Sequence, residues 1–340
     1  MGLFNQTILE IKLRQFVQKT NKLPLITYTM KKQFIALVLF TMFASNIQAQ
    51  QDPHYTQYMY NMNVMNPAYS GSKESLSLGL LYRQQWVNVQ GAPKTGTFSM
   101  HSPVGKSVGM GISAISDKIG PVEESNIYGD FSYTLNLGGE HRLAMGLKAG
   151  VTFHKVGLFS EIGNGYVPQP NDVAFRENSS NSYLNIGSGL FYYTQKYYFA
   201  ASVPNMLEAK HLDLNEDGQS YEFGSETQHY FVTAGYVFDL SSNTKLKPSF
   251  MMKSSFGEPV SLDLSANALF FEKFEIGATY RLEDSFGAMV NFAISPSIRV
   301  GYAYDRIISD LKVTTLSSHE IMLLFDLNLT KKVSISPRFF

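Results

Sequence analysis

From Lys273 to Glu283 apolar and polar residues alternate one for one. Phe274, Ile276, Ala278, Tyr280 and Leu282 fall on one side, and Lys273, Glu275, Gly277, Thr279, Arg281 and Glu283 on the other. A period of two describes a β-strand with one apolar and one polar face. The same period predicts strands at 75–87, 94–102, 107–117, 124–138 and 141–156. After a long irregular stretch, 157–180, it resumes at 182–194 and 196–203, and after a second, 204–226, at 227–240. The series then runs through 244–255, 258–271, 273–283, 286–294, 296–306 and 317–329 to 331–340.

In 141–156 the apolar row is Leu143, Met145, Leu147, Ala149, Val151 and Phe153, and the opposite row, Arg142, Ala144, Gly146, Lys148, Gly150 and Thr152, is small or polar. The same logic turns Ile298, Val300, Tyr302 and Tyr304 outward and Arg299, Gly301, Ala303 and Asp305 inward. A soluble sandwich would carry this alternation too, with its polar face in water. In a membrane the hydrocarbon offers no hydrogen-bond partner, so the strands must close into a ring without edges. Single-chain barrels of this kind have even strand numbers, so the fifteen segments predict about fourteen strands with one segment misread.

An export signal favours the membrane reading. Met30-Lys31-Lys32 is followed by the apolar run Phe34 to Phe43 and by Ile47-Gln48-Ala49, a signal peptide with cleavage expected after Ala49. The run is too short to cross a bilayer as a helix. Residues 1–49 are thus leader and signal peptide, with the true start expected at Met30. Residues 50–74 form an N-terminal arm interrupted by Pro53 and Pro67, in the barrel mouth, and 75–340 the barrel.

Removing residues 1–49 takes six basic residues and one acidic residue from the 28 of each, leaving 22 against 27. That net negative charge is the wrong sign for a nucleic-acid partner. With no cysteine, disulfides and thiolate metal sites are excluded. Aromatics at 14% beside 16% charged residues suit a barrel with aromatic girdles and a polar interior.

Several motifs stand out. Asn66-Pro67-Ala68-Tyr69-Ser70-Gly71 reads as a turn, with Pro fixing one φ and Gly permitting conformations other residues avoid, and it is expected to seat the arm against the barrel. Trp86, the single tryptophan, is expected in an interfacial aromatic belt. Arg83 is expected in the lumen, paired with a carboxylate such as Asp263 or Glu275. Gly91-Ala92-Pro93 reads as a tight turn.

With Gln51-Asp52-Pro53 and Gln57-Tyr58-Met59-Tyr60-Asn61, the Asn66–Gly71 motif resembles the start of the PorP/SprF family. Tyr82-Arg83-Gln84-Gln85-Trp86 and Gly91-Ala92-Pro93-Lys94-Thr95, with Ser99 before Pro103, resemble that family's second signature. Ser318-His319-Glu320-Ile321 and Pro337-Arg338-Phe339-Phe340 resemble its tail. The resemblance implies an outer-membrane barrel of the type IX secretion and gliding machinery of Bacteroidota. It implies a non-enzymatic role, helping to export or to hold at the surface a large adhesin with a type B C-terminal sorting domain. Its partners would be outer-membrane lipid, that adhesin and type IX components, with no cofactor. A passive or fatty-acid-type channel is the alternative, since it shares the strand number and the arm. The terminal Phe340 on an amphipathic last strand resembles a signal for outer-membrane assembly.

Catalytic patterns are sparse. The seven histidines, at 54, 101, 141, 154, 211, 229 and 319, include no HExxH pair, and no Ser occupies a GxSxG elbow. His101 beside Ser102 and His319 beside Ser318 would point to opposite faces of their strands. Asp213, Asn215 and Asp217, followed by Gly218, match the start of a calcium loop, but Gly224 stands where its bidentate Glu belongs. The stretch is read as an acidic surface loop, with weak calcium binding as the alternative.

Overall fold

The alternating segments close into a ring in the computed structural model, which describes residues 54–157, 179–207, 210–216, 219–225, 228–255, 259–309 and 317–327. The first seven strands are β1 (Leu76–Gln84), β2 (Lys94–Pro103), β3 (Val108–Ile119), β4 (Val122–Gly138), β5 (His141–Val156), β6 (Ser179–Tyr193) and β7 (Tyr197–Val203). A separate hairpin follows, β8 (Lys210–Glu216) with β9 (Gln219–Ser225). The ring resumes with β10 (His229–Tyr236) and its short continuation β11 (Phe238–Ser241), then β12 (Thr244–Ser255), β13 (Ser261–Phe270) and β14 (Phe274–Arg281). It ends with β15 (Ser285–Ser295), β16 (Ile298–Ile307) and β17 (Ser317–Leu327).

Neighbours in sequence pair antiparallel, β10 bridges β7 and β12, and β17 pairs with β1 from Leu76↔Leu327 to Gln84↔His319. The result is a closed antiparallel barrel of fourteen strand positions. The segment 331–340, expected as a further strand, lies outside the described residues; among the described residues β1 pairs directly with β17.

Period two sorts the side chains as expected. Along β5, Ala144, Gly146, Lys148, Thr152 and His154 are buried inside, while Met145, Leu147, Ala149 and Phe153 are exposed outside. Outward apolar side chains such as Ile127, Leu147, Leu184 and Ile321 form the surface that hydrocarbon covers. Aromatic pairs mark both rims, Tyr197 with Tyr236 and Phe270 with Phe274 at one, Tyr280 with Phe286 and Tyr304 with His319 at the other.

The two rims differ. One carries only short connections, 104–107, 139–140, 194–196, 271–273 and 296–297, together with the start of β1 and the end of β17. At 139–140 the tight reversal uses left-handed backbone at Gly138 and Gly139. The opposite rim carries the long connections, 85–93, 157–178, 204–228 and 308–316. Short periplasmic turns and long outer loops are the rule for outer-membrane barrels, which orients this one. The 204–226 stretch, read from sequence as irregular, contains the β8–β9 hairpin.

The arm fills the lumen rather than resting in its mouth. Residues 54 to 70 are all buried, and they form one short helical turn, α1 (Met62–Met65), between 3-10 turns at Tyr58–Tyr60 and Pro67–Tyr69. Tyr58, Met59, Met62, Met65 and Tyr69 pack with wall residues Phe191, Tyr198, Met251, Met289 and Met322 into one apolar cluster. Unbranched methionines fit this irregular space between helical arm and pleated wall.

Candidate functional site

The contact between arm and wall gathers most of the buried polar chemistry, and it starts at the Asn66–Gly71 turn. Pro67 sits at the first position of its 3-10 turn, where a missing N–H costs nothing. Asn66 precedes it and accepts from the Ala68 amide at 2.9 Å through its side chain, while its Nδ2 donates to the Leu190 carbonyl at 3.0 Å. Three lumenal glycines make room for this turn. A side chain at Gly146 would collide with the Ala68 amide, one at Gly109 with the Ser70 carbonyl, and one at Gly189 with Asn66 Oδ1. Gly71 closes the turn with φ +77°, and its N–H donates to His101 Nδ1 at 3.1 Å. Tyr69 lies edge-on to both His101 and Phe191. The predicted seating role is thus an interlock of backbone against backbone.

Toward the long-loop rim the other end of the arm is tied by charge. Arg83 on β1 reaches Asp305 on β16 at 2.7 Å and Glu320 on β17 at 3.3 Å, all three buried. Its Nη1 also donates to Thr56 Oγ1 at 2.9 Å, and that hydroxyl donates to Asp305 at 2.6 Å. Glu320 accepts the backbone amides of Thr56 at 2.9 Å and Gln57 at 2.8 Å, one on each oxygen. Arg83 is lumenal and carboxylate-paired as predicted, but its partners are not Asp263 or Glu275. Those belong to Arg281, bidentate to Asp263 at 2.9 Å, and to Arg299, 3.2 Å from Glu275.

Two further contacts hold the middle. Lys148 on β5 is 3.3 Å from Asp130 on β4 and donates to the Val64 carbonyl at 2.8 Å, and Asn63 donates to Asp130 at 3.2 Å. Across the lumen the Tyr60 hydroxyl donates to Glu275, and the Lys247 ammonium lies 5.2 Å from the centre of the Tyr60 ring. Ionised hydrogen-bond partners of this kind are the stronger class, and in a buried site each needs the other. Sequence reading did not single out Lys148, Asp130 or Asp305 as partners of the arm.

A family model described as type IX secretion system membrane protein PorP/SprF matches residues 47–325, most of the chain. The chain belongs to the PorP/SprF family. No curated protein matches it. Among solved structures, the P. putida toluene transporter TodX is similar at a TM-score of 0.46 and 10% identity, over 80% of this chain and 95% of that one. The CymD monoaromatic hydrocarbon channel gives 0.45 and 13%, over 78% and 91%. The Acinetobacter baumannii outer membrane protein Omp33 gives 0.41 and 11%, over 76% and 100%.

The three motif groups, scattered in sequence, meet in space. Gln57 from the first, Arg83 from the second and Glu320 from the third share one buried cluster, while Asn66, Pro67, Ala68, Tyr69 and Gly71 form the seat of the arm. Gln85 and Trp86 lie beyond the end of β1 in the rim connection, so strand alternation no longer governs them. Trp86 is half-buried at rim level with φ +47°, and its N–H donates to Ser318 Oγ at 3.2 Å. Gly91, Ala92 and Pro93 finish that connection as the predicted turn, where Gly91 has φ +74° and its carbonyl accepts from Gly120 at 2.8 Å.

His319 pairs with Tyr302 at 2.6 Å, and the neighbouring Ser318 is buried on the opposite face of β17. His101 is buried against the arm, while Ser102 hydrogen-bonds to the Pro103 carbonyl at 3.3 Å. Asp213 and Asn215 fall on strand β8, which pairs with β9 up to Glu216↔Gln219. Asp217, Pro337, Arg338 and Phe340 lie outside the described residues.

Proposed function

We propose that this protein is a non-enzymatic outer-membrane component of the type IX secretion and gliding machinery. In this reading it assists the export or surface attachment of a large adhesin with a type B C-terminal sorting domain. It reaches the membrane after signal-peptide cleavage near Ala49, and it uses no cofactor. Membership of the PorP/SprF family over residues 47–325 carries the reading. The filled lumen supports it over a passive or fatty-acid-type channel, since conduction needs a continuous wet path and Tyr58, Met59 and Met62 stand buried across this one. The protein's partners are then outer-membrane lipid, other type IX components and the adhesin.

Deletion of the gene tests this directly. Surface proteomics on the deletion strain is expected to lose a large adhesin, and the tagged barrel is expected to retain that adhesin or secretion components after detergent extraction. Unchanged surface display, together with ion or solute conductance by the purified barrel in a planar bilayer, would favour the channel instead.

A further inference from the structure

Resting on that reading, the geometry points to the lumen as a polypeptide-binding site, occupied at rest by the chain's own arm and taken over by a segment of the exported client. The wall reads groups that every polypeptide carries. Glu320 accepts two successive backbone N–H groups, at 2.9 and 2.8 Å. Lys148 donates to the Val64 carbonyl at 2.8 Å, and Ser132 donates to the Ser70 carbonyl at 2.6 Å. His101 accepts the Gly71 N–H at 3.1 Å. A carboxylate, an ammonium, a hydroxyl and an imidazole thus bind main-chain atoms of the arm, groups that every polypeptide segment presents.

Shape adds selectivity. Gly109 and Gly146 remove side chains from the wall where the arm's backbone runs closest, and Ala68, fully buried there, is small. The ligand class is therefore a polypeptide segment with small residues at the glycine seats and a hydroxyl in the place of Thr56, between Arg83 and Asp305. The arm is joined to the wall through Gly71 at the short-turn rim, where β1 begins at Leu76. Its opposite end, at Thr56 and Gln57, lies toward the long-loop rim. A chain arriving from the outer side meets that end first and can displace the arm by exchanging equivalent backbone contacts.

Pinning the arm tests this. The chain has no cysteine, so introduced pairs react alone. A Cβ at Gly287 on β15 would stand 3.1 Å from Thr56 Cγ2 and 2.5 Å from Asp305 Oδ1, so the two positions adjoin and the flexible end of Asp305 must shift to admit the pair. The full-length T56C/G287C variant is expressed in the deletion strain and compared with itself, oxidised and reduced, for retention and display of the adhesin that deletion removes. The oxidised form is expected to lose the adhesin, with dithiothreitol restoring it. If that variant does not fold, N61C/T97C closed as a disulfide with copper phenanthroline and reopened with dithiothreitol makes the same comparison, since Thr97 Oγ1 and Asn61 Oδ1 meet at 3.2 Å. Equal retention by pinned and reduced protein overturns the binding site and leaves the export role standing. Normal adhesin display in the deletion strain overturns the export role and the binding site with it.

Discussion

Arg83 and Glu320 stand directly opposite one another on β1 and β17, the two strands whose pairing closes the ring, with Nη1 3.3 Å from Oε2. The same Glu320 holds the amides of Thr56 and Gln57, and the same Arg83 holds the Thr56 hydroxyl. One ion pair therefore serves both the seam of the barrel and the end of the arm. Closure of the ring brings the pair together, and the arm completes its hydrogen bonding.

Removing one member of that cluster is expected to cost more than removing the pair. R83M leaves Asp305 and Glu320 as buried carboxylates without their cation, a loss of about 3–5 kcal/mol by analogy with other broken buried pairs. R83M/E320M should be milder than the sum of its parts. Urea unfolding of the barrel in lipid vesicles, read by gel mobility of heated and unheated samples, measures both. Strict additivity would show that the two residues do not act as a unit.

The glycine seats predict an opening. G146A puts a methyl where the Ala68 amide lies, and backbone of the arm is what must give way. G129A adds the same methyl on the lipid side of β4, where the nearest atom, the Ala149 carbonyl oxygen, is at 3.9 Å. Planar-bilayer recordings should find increased ion conductance for G146A and none for G129A or the parent. A silent G146A barrel would mean that the turn shifts without unsealing the lumen.

Period two carried nearly all of the barrel, because an outward row must be apolar over hydrocarbon and that requirement leaves a plain trace in each strand. The depth of the arm left no such trace. Asn66-Pro67-Ala68-Tyr69 encodes a local turn, and only the matching glycines on β3, β5 and β6 show where it rests. The partners of Arg83 were within reach of a ring argument. A closed barrel makes its first and last strands neighbours, which sets Arg83 against Glu320, whereas Asp263 and Glu275 lie on β13 and β14, remote from β1 in the strand order. The β8–β9 hairpin was missed because Asn, Asp, Gly and Ser mask its extended backbone behind loop composition.

Asn66 is expected to matter for the arm alone. N66A removes the cap on the Ala68 amide and the donor to the Leu190 carbonyl, together about 1–3 kcal/mol for a buried site. Hydrogen exchange should speed up at Ala68 and its neighbours while the β1–β17 amides keep their protection. Uniform loss of protection across arm and wall would instead tie the arm's order to the stability of the whole barrel.

Leu147 and Lys148 are adjacent on β5 and inhabit different solvents. Leu147 is 64% exposed on the outer face, while Lys148 is buried against Asp130 and Val64 inside. In a lipid bilayer L147R sets a charge in hydrocarbon, at a cost of about 2–4 kcal/mol near the midplane. In a water-soluble sandwich the same change would fall on a solvated face or in a core, and vesicle thickness would not alter it. The expected result is lower stability of L147R in vesicles, with a larger loss in thicker bilayers and a smaller one in detergent micelles, where water reaches the charge. Equal stability of parent and variant in every bilayer would remove Leu147 from the lipid face, and with it the register that places Lys148 in the lumen.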